Sequence, residues 1–157
     1  MSEAVDRVVF DVGTVALAHS GTPMGGTALG YVREAIRGEI EAVVPYQAVF
    51  GAHHVLHRNY EFSRTEATYV LSNFLDAGRI HWYAGPDETD TREGLAIAGE
   101  HNIEGWDGYY AHVAQASGAT TVVGLDDDFE RVEGLDVEIP LTDQERADLH
   151  EYLAPDD

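Results

Sequence analysis

Four short runs of consecutive apolar, β-branched residues punctuate the chain: "RVVF" at 7–10, "AVV" at 42–44, "IHWY" at 80–83 and "TTVV" at 120–123. None alternates apolar with polar positions, so each reads as a strand covered on both faces. Between them the spacing becomes helical. Tyr31, Ala35 and Ile36 share one face before Gly38, and Val49, His53, Leu56 and Tyr60 share another. "SRTE" at 63–66 is a capping box opening a helix that ends near Gly78. "TDQE" at 142–145 opens a C-terminal helix running to about 153, followed by a short acidic tail. Two further helices fit 90–100 and 106–117. Strands alternating with helices predict an α/β fold with a mostly parallel central sheet. The Gly-rich stretch "SGTPMGG" at 20–26 reads as a linker-like loop.

In an open parallel sheet, ligands bind beyond the carboxyl ends of the strands. That rule selects among the carboxylates. Asp11 directly follows "VVF", Asp126 follows "TVVGL", and Asp107 opens the helix "WDGYYAHVAQA". All three are expected on one edge. Plainer readings exist for four of the acidic residues: Asp11 and Asp107 as helix N-caps, Asp128 as a cap of the turn "DDFERV", and Asp127 as surface charge.

Composition changes how those carboxylates are weighed. The chain of 157 residues, 44% hydrophobic, suits one domain over 1–157. It carries 29 acidic residues against nine basic ones, all of them Arg, for a net charge of -20. The absence of Lys beside that charge points to adaptation to molar salt, where repulsion is screened within about 3 Å. Most surface carboxylates then serve solubility, and acidity does not exclude a nucleic-acid partner. With no Cys, any metal must be held by oxygen or imidazole. No HExxH motif is present, and a zinc site is not expected. No apolar run is long enough to span a membrane and no signal peptide is evident, so the expectation is a cytoplasmic protein without a membrane partner.

The segments "VVFDVGTVAL" (8–17), "VVPYQAVFGAHHVLHRNYEFSRTEA" (43–67), "GWDGYYAHVAQASGATTVVGLDDDF" (105–129) and "VEGLDVEIP" (132–140) together resemble the PIN-domain family, and most of all its VapC-type toxin ribonucleases. The resemblance implies a three-layer α/β/α sandwich and a carboxylate cluster that holds Mg2+ or Mn2+. It implies hydrolysis of RNA phosphodiester bonds with a metal-activated water. Matched position by position, catalytic and metal-binding roles fall on Asp11, Asp107 and Asp126, with Asp128 as an additional ligand and Thr14 and His54 in support. It also implies a homodimer and an antitoxin protein partner, for which Phe50, Phe62, Tyr69 and Phe74 are candidate surface if they are not core.

The chain departs from the family at three glycines. Gly51 stands where a helical Glu is expected, Gly13 replaces a small polar residue, and Gly124 replaces Thr or Ser before the last acidic position. Restoring Glu at 51 is expected to raise metal affinity. The loss at Gly51 favours a second reading, a catalytically weakened domain with a binding or regulatory role. "FDVGTV" with a late "DD" also resembles the haloacid-dehalogenase phosphatases, but Gly13 occupies the general-acid position and a lysine-free chain lacks their phosphate-orienting Lys. No GxxxxGK phosphate loop is present.

Overall fold

Val8, Val9 and Phe10 are buried in β1 (Arg7–Phe10), at the centre of a five-stranded sheet. The computed structural model describes residues 6–154; the extreme N-terminus and the acidic tail at 155–157 lie outside the described residues. The other strands are β2 (Glu41–Pro45), β3 (His81–Tyr83), β4 (Thr121–Val123) and β5 (Asp136–Glu138), in the order β3-β2-β1-β4-β5 with every pairing parallel. Central β1, β2 and β4 are almost wholly buried, as their unbroken apolar runs require. Edge strand β3 is not: His81 is exposed, and Trp82 is covered by stacking on Tyr46 at 5.4 Å and an edge contact with Phe74 at 5.2 Å.

The described residues form seven helices: α1 (Val12–His19), α2 (Gly26–Arg37), α3 (Tyr46–Asn59), α4 (Arg64–Leu75), α5 (Glu88–His101), α6 (Gly105–Ser117) and α7 (Asp143–Leu153). Right-handed crossovers place α1 to α4 on one face, because the chain steps from β1 to β2 to β3 in one direction. The return from β3 to β4 places α5 and α6 on the other, and the result is a three-layer α/β/α sandwich. Among the described residues no helix is long and apolar enough to cross a membrane.

The predicted capping boxes at Ser63 and Thr142 form, each with the N3 Glu bonding back to the cap. Asp87 and Asp90 make a third at the start of α5. Two elements carry no helical or strand pattern in the sequence, although Asp11 read as an N-cap implies the first. Helix α1 is buried at Thr14, Val15, Ala16, Leu17 and Ala18, so it shows no polar face to set a helical period. Strand β5 is three residues at the sheet edge with charged ends. The stretch 20–26 is not a linker: it forms a 3-10 turn, Pro23–Gly25, with Met24 and Gly25 buried. Gly25 is required there, since a Cβ would collide with the Leu17 carbonyl at the end of α1.

Candidate metal centre

The strand order reverses direction between β1 and β4, and a parallel sheet opens a ligand crevice at such a switch point. Phe10 and Val123 are register partners there, so Asp11 and Gly124 leave the sheet side by side. Asp11 serves as N-cap of α1, its Oδ1 accepting from the Thr14 amide at 2.8 Å. The Thr14 hydroxyl donates instead to the Val123 carbonyl at 2.7 Å, tying α1 to β4. Thr14 therefore orients Asp11 through its backbone amide.

Asp107 does not begin its helix: Glu104 is the N-cap of α6 and Asp107 lies in the first turn, its carboxylate facing the same sheet edge. The seat of α6 is set by a close crossing with α5, where a Cβ on Gly108 would strike the Gly94 carbonyl. Asp126 caps the 3-10 turn Asp127–Arg131, and its Oδ1 accepts from the Asp128 amide at 2.9 Å. The cap of that turn is thus Asp126; Asp128 offers one oxygen to the cluster, and its Oδ1 lies 3.6 Å from Arg131 Nη2. Asp127 is exposed.

Asp107, Asp126 and Asp128 each offer a carboxylate oxygen within 4.8 Å of the others, a group that can hold a metal ion. Asp107 is only 9% exposed, and its Oδ2 is buried without any hydrogen-bond partner. A buried carboxylate oxygen is costly unless it is paired or coordinates a cation. Burial, then the charges of Asp126, Glu104, Asp11 and Asp128, push the Asp107 carboxyl up to about 6. Burial likewise lifts Asp11 to about 6, against the lowering hydrogen bonds from Thr14 and with a further rise from Asp126. Four carboxylates therefore share one edge, three of them as a compact triad with Asp11 alongside.

Gly13 and Gly124 border Asp11, and Gly51 borders the adjacent Val12. A Cβ on Gly124 would stand 2.7 Å from Asp11 Oδ2, so the position accommodates the carboxylate and has no space for a hydroxyl-bearing side chain. A Cβ on Gly13 would meet Leu125 Cδ1 at 2.9 Å, and one on Gly51 would meet Val12 Cγ2 at 2.7 Å. Helices α1 and α3 approach closely at that last contact, and no side chain at 51 fits without moving Val12.

His54 is exposed and lines the cleft between α3 and α6 together with Asp11 and Asp107, but it is not one of the triad. His53 and His57 have the one-turn spacing of a two-histidine metal pair, yet both are used in joining α3 to the α4 region. His53 Nε2 meets the Arg64 carbonyl and Thr68 hydroxyl, and His57 Nδ1 meets the Phe62 carbonyl. Of the aromatic candidates, Phe74 is core and Phe62 packs against it, whereas Phe50 and Tyr69 are exposed. Sequence reasoning missed Gln47, Trp106 and Tyr110 at the site. Their only signal is position: Gln47 lies one turn before Gly51, and Trp106 and Tyr110 flank Asp107.

No protein-family model matches the chain, and no curated protein matches it in sequence. Among solved structures it is similar to the crystal structure of PAE2754 from Pyrobaculum aerophilum, with a TM-score of 0.58 and 16% identity over 97% of this chain and 98% of that one. At that identity the likeness concerns the fold.

Proposed function

We propose that the chain is a divalent-metal-dependent endoribonuclease of the PIN/VapC toxin type, hydrolysing RNA phosphodiester bonds at the edge where β1 and β4 end. One observation carries the reading: Asp107 Oδ2 is buried, lacks a partner and belongs to a group with Asp126 and Asp128. An all-oxygen donor set suits a hard cation such as Mg2+ or Mn2+. When bound, such an ion activates water for attack at phosphorus and offsets charge on the phosphodiester. Asp107, Asp126 and Asp128 would hold it. Asp11, fixed by the Thr14 amide, adds a fourth carboxylate from the neighbouring strand.

Calorimetric titration with Mn2+ and Mg2+ in molar KCl tests the centre. Saturable binding that Asp107→Asn abolishes is expected, together with Mn2+-dependent cleavage of an RNA mixture that disappears in Asp126→Asn. No saturable binding by the natural protein rejects the reading.

The approach of Gly51 to Val12 favours a second reading, a domain of the same type with weakened catalysis and a binding or regulatory role. Saturable Mn2+ binding without cleavage of any RNA would support it. The ribonuclease reading also entails a cytoplasmic homodimer and an antitoxin partner. Exposed Tyr46, Tyr69 and Leu75 on α3 and α4 supply apolar surface for pairing, which sedimentation would detect.

A further inference from the structure

Two adjoining clefts run from the carboxylates across helix α3. The first, about 570 Å3, lies between α3 and α6, with Asp11 and Asp107 on one side and Gln47, Phe50, His54 and Trp106 around the rest. Phe50 is 82% exposed and Trp106 is 62% exposed. Neither ring is needed to fill the core, yet both line the same cleft. Gln47, whose side-chain amide donates to the Tyr110 hydroxyl at 3.3 Å, gives that cleft a polar edge. The second, about 440 Å3, is lined by His53, His54, His57, Arg58 and Arg64. It gathers two of the nine arginines and three of the eight histidines of a chain whose net charge is -20. His54 lines both clefts.

A surface that passes from carboxylates to aromatic rings to cationic groups matches a nucleic-acid strand with one base turned out and its phosphates continuing. Aromatic faces stack any unpaired base, and Arg side chains follow the backbone. A duplex offers no free base face to such rings. We propose that the first cleft receives an unpaired nucleobase of single-stranded RNA stacked on Trp106 and Phe50, while the adjoining phosphates pass His54 toward Arg58 and Arg64. This rests on the ribonuclease reading of the neighbouring centre and assigns base stacking to Trp106 and Phe50 and the phosphate path to Arg58 and Arg64.

Binding is separated from cleavage by working in chelator. The affinity of a fluorescein-labelled penta-uridylate is followed by anisotropy at several KCl concentrations. Trp106→Ala and Phe50→Ala should each weaken binding at least about fivefold. Trp106→Phe should retain most of it, and a hairpin duplex should bind far more weakly. Arg58→Ala and Arg64→Ala should each lower the salt slope by about one. Equal binding of duplex and single strand, or unchanged affinity in both aromatic variants, overturns the proposal. So does a Phe50→Ala variant that loses self-association but keeps its RNA affinity, because Phe50 then meets a second copy of the chain. Aromatic-dependent binding by a protein that never cleaves with Mn2+ supports the cleft and rejects the ribonuclease reading instead.

Discussion

Gly124 and Asp11 are in direct steric register: a Cβ on Gly124 would lie 2.7 Å from Asp11 Oδ2 and 3.3 Å from Phe129 Cε2. The glycine leaves room for a carboxylate at the end of the neighbouring strand. Gly124→Thr should therefore lower stability by about 1–3 kcal/mol, the usual cost of overpacking a tight site. It should also weaken Mn2+ binding by displacing Asp11. Denaturant midpoints and calorimetry check the two effects, and unchanged values for both would contradict the contact.

Gly51→Glu, the substitution that resemblance suggests would improve the site, should not do so alone. Its Cβ would stand 2.7 Å from Val12 Cγ2 and 3.1 Å from Cγ1, on a side chain that is stiff at χ1. A loss of about 1–3 kcal/mol and no gain in Mn2+ affinity are expected. Adding Val12→Ala opens the space, and the double variant should bind Mn2+ more tightly than Val12→Ala alone.

Asp11 makes apo stability depend on pH. Burial raises its carboxyl from an ordinary 3.8 to about 6 in the folded chain. Between those values the folded state holds a proton that the unfolded state has released. The contribution is full below about pH 4 and disappears as pH rises through about 6, amounting to at most about 3 kcal/mol. In chelator, Asp11→Asn should flatten this part of the stability profile. A profile of the same slope in the variant would remove Asp11 as its source.

The α5–α6 pair is held by Asp90, whose Oδ1 meets the Tyr83 hydroxyl and His112 Nε2, each at 2.8 Å. Its Oδ2 accepts from the Asp87 amide at 3.2 Å. Burial alone would raise the Asp90 carboxyl, but these partners hold it below the usual range. Asp90→Ala leaves three part-buried donors, on Tyr83, His112 and Asp87, without their acceptor and should cost about 1–2 kcal/mol. Because α6 carries Asp107, Mn2+ affinity should fall as well; a urea midpoint equal to that of the natural protein would argue against the network.

The strand runs and the rule that ligands sit beyond strand ends suffice to find Asp11 and Asp126, because unbroken "VVF" and "TVV" define where each strand stops. Capping boxes make the starts of α4 and α7 legible, since their chemistry is local in sequence. Helix α1 is hidden by burial on all sides, and β5 by its shortness and charge. The glycines are misread in a more instructive way. At the level of residue type Gly51 and Gly124 look like deletions of polar groups. What they accommodate, Val12 from the next helix and Asp11 from the next strand, becomes visible only when distant segments are brought together. The aromatic rim fails for the same reason: exposure of Phe50 and Trp106 cannot be told from burial by their identity.

The bond from Thr14 to the Val123 carbonyl joins groups 109 residues apart, and the candidate ligands divide across that span. Asp11 belongs to an early segment and Asp107, Asp126 and Asp128 to a late one, so the complete cluster needs β4 inserted beside β1. Such distant pairings close slowly, after the loop entropy between them has been overcome. During synthesis the chain would therefore bring its four carboxylates together only after β4 and the turn that follows it have emerged. A truncated product ending before β4 would lack Asp126 and Asp128, and with them two of the three carboxylates that could hold a cation.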